Sequence, residues 1–206
     1  MNVKRYFLIA LILCSASLAV PAYSSRQDDS AAQNDSSDYA KQLGSPDPAT
    51  RQSAAEALAR LVALEQKKLL EGYVLQEKDK RVRLALNWAL YRMGKSQLLV
   101  QLVRELEFSR HEQAFGYLTQ LESPALLYPF LKQENLEPKI MPRLLDVLGW
   151  IGDAESIEQI KPFTESFDPK VSAAALTSTS MIQHRMAESG PPQSTRPRTT
   201  RKAEQP

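Results

Sequence analysis

The chain repeats itself along its length. The stretch from Trp88 through Gly94 to Leu102 superposes on the stretch from Asp146 through Gly152 to Ile160 with a shift of 58 positions. That shift sets Gly94 on Gly152, Met93 on Ile151 and Leu99 on Ile157. It covers two smaller units, because helix starts of one kind fall near Asp47, Asp79, Arg110, Glu137 and Asp168, 27 to 32 residues apart. A fixed period of this size is the mark of stacked helix pairs, in which each unit buries its apolar face only against its neighbours. The pattern predicts an all-α chain, an α-solenoid of about five stacked helix pairs forming an α-α superhelix. Stacks of this kind present long surfaces, so binding is the expected role and catalysis is not.

Local chemistry supports the helix pairs. Asp47-Pro48, Glu137-Pro138 and Asp168-Pro169 place an acidic residue before proline. A carboxylate there can accept hydrogen bonds from unpaired amides, and proline at the first helical position gives up no bond. Apolar residues follow at spacings of three and four: Ala54, Ala57, Leu58 and Leu61; Val82, Leu86, Leu90 and Met93; Ile140, Leu144, Val147 and Ile151. Each set lies on one helical stripe. Gly94 and Gly152 are expected to end their helices in the left-handed conformation that glycine adopts most easily. The intervening first helices read as 65–76, 96–107, 124–133 and 153–166. No window alternates with period two, so no strand is expected.

The ends of the 206-residue chain read differently from its middle. Lys4 and Arg5 precede a short apolar stretch from Tyr6 to Val20, and Val20-Pro21-Ala22 offers small residues where a signal peptidase reads. Residues 1–22 are expected to be a signal peptide cleaved after Ala22, delivering the protein to the periplasm or the exterior. The apolar stretch is too short to cross a bilayer comfortably, and no transmembrane segment is expected in the mature chain. Cys14, the only cysteine, follows bulky residues and suits neither lipidation nor, once removed, a disulfide or thiolate site. Residues 23–37 are Ser- and Asp-rich and read as a disordered polar linker, and 189–206 as a disordered basic tail. The tail's Arg196, Arg198, Arg201 and Lys202 could hold weakly to an anionic surface or polyanion. Between them, basic and acidic side chains are equal in number over 38–185. A neutral body argues against a dedicated nucleic-acid face, and no specific nucleic-acid binding is expected.

Once the Asp…Val-Arg…Ala…Gly pattern is in view, residues 38–188 resemble HEAT repeats, in particular the PBS-lyase HEAT-like subfamily. Asp79-Lys-Arg-Val82-Arg83 carries the resemblance best, with Asp47-Pro-Ala-Thr-Arg51 next. The third unit, Arg110-His-Glu-Gln-Ala-Phe-Gly116, lacks the Val-Arg element, and the fifth has Ser172 where Arg is expected. The resemblance implies that Asp47, Asp79 and Asp168 cap second helices and that Arg51 and Arg83 belong to a ladder between units. Some members of that family attach bilin pigments to proteins, but the residues here supply no such chemistry.

The search for chemistry finds little. His111 and His184 stand in no metal-ligand spacing, and neither a Gly-rich phosphate loop nor G-x-S-x-G occurs. No cofactor, metal or catalytic residue is expected. The basic run Lys78, Lys80, Arg81, Arg83 is the densest charge cluster, with Glu77 and Asp79 offsetting half of it. Aromatics on second helices suggest anchors for a protein or peptide partner. Asn87, Trp88, Tyr91, Arg143, Asp146 and Trp150 are the expected groove, with the alternative that Trp88, Tyr91 and Trp150 fill gaps between units.

Overall fold

The computed structural model of the chain describes residues 35–133 and 136–188. The signal segment with its cleavage point at Ala22, the polar lead up to residue 34 and the basic tail from 189 lie outside the described residues. All regular structure among the described residues is helical. A first helix, α1, covers 35–42, so residues 35–37 are helical although their composition reads as linker. Ser36 on α1 is buried and donates to Glu65 at 2.5 Å, which docks this helix on the body.

The longer helices start where a carboxylate can cap them. Asp47 precedes α2 (Pro48–Leu61) and accepts from the amides of Ala49 and Thr50 at 3.2 and 2.9 Å. Asp79 does the same for α4 (Lys80–Arg92) through Arg81 and Val82, and Asp168 accepts from Lys170 at the head of α10 (Pro169–Glu188). Between α2 and α4 lies α3 (Lys67–Gln76). The third unit has no such cap, and its helix α6 (His111–Leu118) has only eight residues. The fourth departs from expectation. Its helix α8 (Ile140–Ile151) begins two residues after Pro138, with Lys139 at the cap position and no side-chain cap. Glu137 instead closes a turn by accepting from the Ile140 amide at 2.9 Å. Pro142 is tolerated because it falls in the first turn, where its missing N–H has no intrahelical partner to lose.

The intervening helices are shorter than the sequence pattern suggests: α5 (Leu99–Arg104), α7 (Tyr128–Leu131) and α9 (Ala154–Ile160), each flanked by 3-10 turns. Tight turns let apolar side chains reach the core without a full helical face.

The two glycines paired by the repeat differ in role. Gly94 has φ of 92°, the left-handed helix end expected of it. Gly152 has φ of −66° and ψ of 161°, ordinary extended backbone. There the requirement is space: a Cβ would run into Leu148 O and approach Ile182 Cδ1 to 2.7 Å and Ser156 Cβ to 2.9 Å. Gly149 lies against Ser178 in the same way, and Ser178 Oγ donates to Leu145 O at 2.8 Å. Small residues thus bring α8 and α10 together. The α2 end takes the left-handed turn at Val62, with φ of 49°, where sequence offers no glycine.

Alternate helices touch in chain order: α2 with α4, α4 with α6, α6 with α8, and α8 with α10. Their buried leucines, among them Leu58, Leu86, Leu118, Leu144 and Leu148, form one continuous core with Leu70, Leu102 and Leu127 from the shorter segments. Each such side chain withdrawn from water contributes about 1.5–3 kcal/mol. Arg51 ties the first two units together. Its guanidinium makes a two-pronged ion pair with Glu77, Nε to Oε2 at 2.8 Å and Nη2 to Oε1 at 2.9 Å. The same carboxylate accepts from the Asp79 amide. Arg83 does not extend that ladder forward but donates back to the Glu77 carbonyl.

Candidate functional site

The six expected groove residues do not share one surface. Trp88 and Asn87 are adjacent in α4 and therefore point about 100° apart. Trp88 is only 2% exposed, which removes it as a projecting anchor. Its ring stacks with Tyr91, 5.6 Å away, and with Tyr117 of α6, 5.4 Å away and nearly parallel, with the Arg92 guanidinium 5.6 Å from its centroid. The gap-filling alternative is the one that holds for this tryptophan.

Around that stack a polar network crosses three helices. Tyr117 donates to Glu56 Oε1 at 2.6 Å, Gln52 donates to the same oxygen at 2.9 Å, and Gln113 donates to Tyr117 Oη and to Arg81 O. Burial and then the Glu56 carboxylate push the Tyr117 hydroxyl well above its ordinary range, so it stays a donor. Gln113 Oε1 is buried with no hydrogen-bond partner. Both donor positions of its amide are in use, so turning the amide over would only exchange one mismatch for two. A hollow of about 220 Å³ lies over this network, with Trp88 at its floor between Arg60 of α2 and Gln120, beyond the end of α6. Tyr91 is half-buried beside a second hollow of about 240 Å³, and burial raises its hydroxyl pKa.

On α8 the expected residues separate again. Arg143 donates to the carbonyl of Leu106, in the turn after α5, and so acts as a brace to the preceding unit. Asp146, one turn on, is half-buried, and burial raises its carboxyl pKa against the opposing pull of Arg143. Trp150 alone projects, 59% exposed, its ring edge-on to Phe115 of α6 at 6.4 Å.

Asn87 opens elsewhere, onto a cleft of about 640 Å³ between α4 and the α5 segment. One wall is the α4 stripe Lys80, Arg83, Leu84 and Asn87; the other is Gln101, Arg104, Glu105 and Phe108. The first set has the spacing i, i+3, i+4, i+7 that aligns side chains along one helical face, whereas the second runs from α5 through the 3-10 turn 105–107 to Phe108 in extended backbone. Asn87 Nδ2 donates to Gln101 Oε1 at 3.1 Å and bridges the walls. Arg110 completes the cleft, paired with Glu105 at 2.8 Å. Sequence reading passed over the second wall. Its spacing was there to read, but that it faces the α4 stripe depends on the turn at Gly94.

The histidines stand apart: His111 Nδ1 is 3.0 Å from Phe108 O at the head of α6, and His184 is exposed near Glu188. Among the described residues no helix is long and apolar enough to cross a membrane, and no three His, Cys, Asp or Glu side chains cluster as metal ligands. No protein-family model matches the chain, and no curated protein matches it.

Proposed function

We propose that this chain is an exported, non-enzymatic scaffold, a HEAT-like α-solenoid of about five helix pairs that binds a protein or peptide through its concave face. The observation that carries the reading is the serial contact of second helices from α2 to α10. Helices joined in that order expose a ribbon of surface far longer than it is deep, and such a surface suits an extended partner better than a small substrate. Tyr91 and Trp150 are its accessible aromatics, and an amphipathic ring on a rigid helix anchors a partner at little entropic cost. Export rests on the Lys4–Ala22 signal pattern and gives a periplasmic or secreted mature chain beginning at Tyr23.

A photo-crosslinking residue placed at 150 in the full chain, expressed in intact cells, tests the reading. A discrete adduct is expected from position 150 and not from Leu75, an exposed position on α3. Deleting 189–206 should leave that adduct unchanged, whereas its loss would move the binding role to the tail. Equal labelling from 150 and 75, or none from either, would sink the concave-face reading. Intact mass of the mature protein checks the cleavage at Ala22.

A further inference from the structure

The cleft between α4 and the α5 segment has a composition unlike the rest of the surface. Four cations line it, Lys80, Arg83, Arg104 and Arg110, against the single carboxylate of Glu105, which is already paired with Arg110. The sequence pairs the basic run at 78–83 with Glu77 and Asp79, but the fold commits both acids elsewhere. The Glu77 carboxylate is held by Arg51 of α2, and Asp79 caps the α4 amides. Lys80 and Arg104 are exposed and have no ion-pair partner among the described residues. Neither Glu77 nor Asp79 lines the cleft, so Glu105 is the carboxylate that faces it.

Bare positive charge suits any anion, but two further features narrow the ligand. The Asn87–Gln101 bridge leaves an amide oxygen and an amide N–H unused, a donor and acceptor set that matches a peptide backbone. Phe108, 49% exposed, forms the end of the basic cleft and also lines an adjoining mixed cleft of about 270 Å³, where Val100, Val103 and Phe130 supply apolar surface and Glu107 and Glu137 would keep a ligand's carboxylates on the basic side. Arg104 lies on both as well. Charge and apolar surface are thus continuous across two shared residues.

We propose that this double cleft binds an extended acidic peptide segment, with carboxylates on Lys80 and Arg104 and a neighbouring apolar side chain against Phe108. The inference rests on the reading of the chain as a binding scaffold, but it concerns the cleft between α4 and the α5 segment and not the surface around Trp150. Inorganic phosphate would use the cations and leave Phe108 and the apolar side chains beside it without a role. An acidic peptide uses both.

The test is direct binding to the purified full chain, followed by fluorescence anisotropy. The probe is a rhodamine-labelled octapeptide, Glu-Glu-Leu-Glu-Asp-Leu-Glu-Glu; its lysine counterpart and inorganic pyrophosphate serve as comparison ligands. The acidic peptide should bind, the lysine peptide should not, and affinity should fall as salt rises. K80E with R104E should weaken binding by about tenfold or more, since each reversal replaces an attraction by a repulsion. Both positions are exposed, and K80Q with R104Q, retaining helicity by circular dichroism, should give a smaller loss of the same sign. F108A should weaken the peptide while leaving pyrophosphate unaffected. W150A should leave peptide binding intact, which separates this surface from the concave face. Absence of acidic-peptide binding overturns the proposal, as does binding indifferent to both charge variants. Pyrophosphate competing with equal affinity while F108A has no effect would also overturn it, in favour of a simple anion pocket.

Discussion

Replacing Gly152 by alanine should destabilise the helical body by about 2 kcal/mol, and the reason is crowding alone. The backbone there has φ of −66°, which alanine adopts freely. The added methyl would approach Ile182 Cδ1 to 2.7 Å and Ser156 Cβ to 2.9 Å, and would run into Leu148 O. Carbon atoms prefer separations of about 3.5–4.0 Å, so relief requires shifts of close to an ångström. Ile182 and Ser156 are fully buried and cannot swing into solvent. Overfilling a packed site typically costs about 1–3 kcal/mol, and three simultaneous conflicts belong at the upper end. The stiffer unfolded chain returns about 0.4–1 kcal/mol. At this chain length the net loss corresponds to a fall of about 4–8 °C in Tm. Gly94→Ala is the control. Its Cβ would meet nothing within 4 Å, so its cost comes only from a left-handed alanine, about 1–2 kcal/mol. Thermal and urea unfolding followed at 222 nm would measure both. Ile182→Val, which removes the closest carbon, should soften the Gly152→Ala loss and leave the Gly94→Ala loss unchanged, a coupling of about 0.5 kcal/mol or more. If Gly152→Ala melts within a degree of the parent, or shows no coupling to residue 182, the close crossing of α8 and α10 is wrong.

Other outcomes follow from the same geometry. Arg51→Ala strands the nearly buried Glu77 carboxylate and should cost about 2–4 kcal/mol at neutral pH. The hydrogen bonds from Arg51 hold the Glu77 pKa below its ordinary value, so that stabilisation is present above about pH 4.3, the unfolded value, and is lost as pH falls through the folded one. The variant should therefore show a flatter acid limb in stability measured against pH. Asp146 has the opposite sign, because burial raises its pKa. Asp146→Asn should raise Tm at neutral pH, and the gain should vanish below about pH 3.9. Val62→Gly removes a β-branched residue from a left-handed helix end and should stabilise by about 0.5–1 kcal/mol in urea titrations. Trp150→Phe should leave only the blue-shifted emission of buried Trp88 and change stability little. Trp88→Ala should cost about 3–5 kcal/mol, read by the same melts.

The helical class and three of the caps were legible because each depends on residues close in the chain. Asp47, Asp79 and Asp168 bond amides two or three positions away. Such contacts are written in spacing alone. The start of α8 was misread because Glu137-Pro138 has the right chemistry for a cap but is spent on a preceding turn. The glycines at 94 and 152 looked alike because their flanking sequences match, yet one meets a conformational demand and the other the approach of Ile182, thirty positions away.

The candidate site divides along the same line. That Trp88, Tyr91 and Trp150 lie on second helices follows from periodicity; that one is enclosed, one half-enclosed and one projecting does not. Their exposure depends on what the next helix presents: Tyr117 closes over Trp88, while Phe115 meets only the edge of Trp150. Sequence by itself determined the helical class, the aspartate caps at 47, 79 and 168 and how charge is distributed along the chain. Tertiary structure alone decided which charges keep a partner and which aromatics remain accessible. The physical reason is that propensity and capping act over a few residues, whereas burial and ion pairing depend on distances across helices that no local pattern encodes.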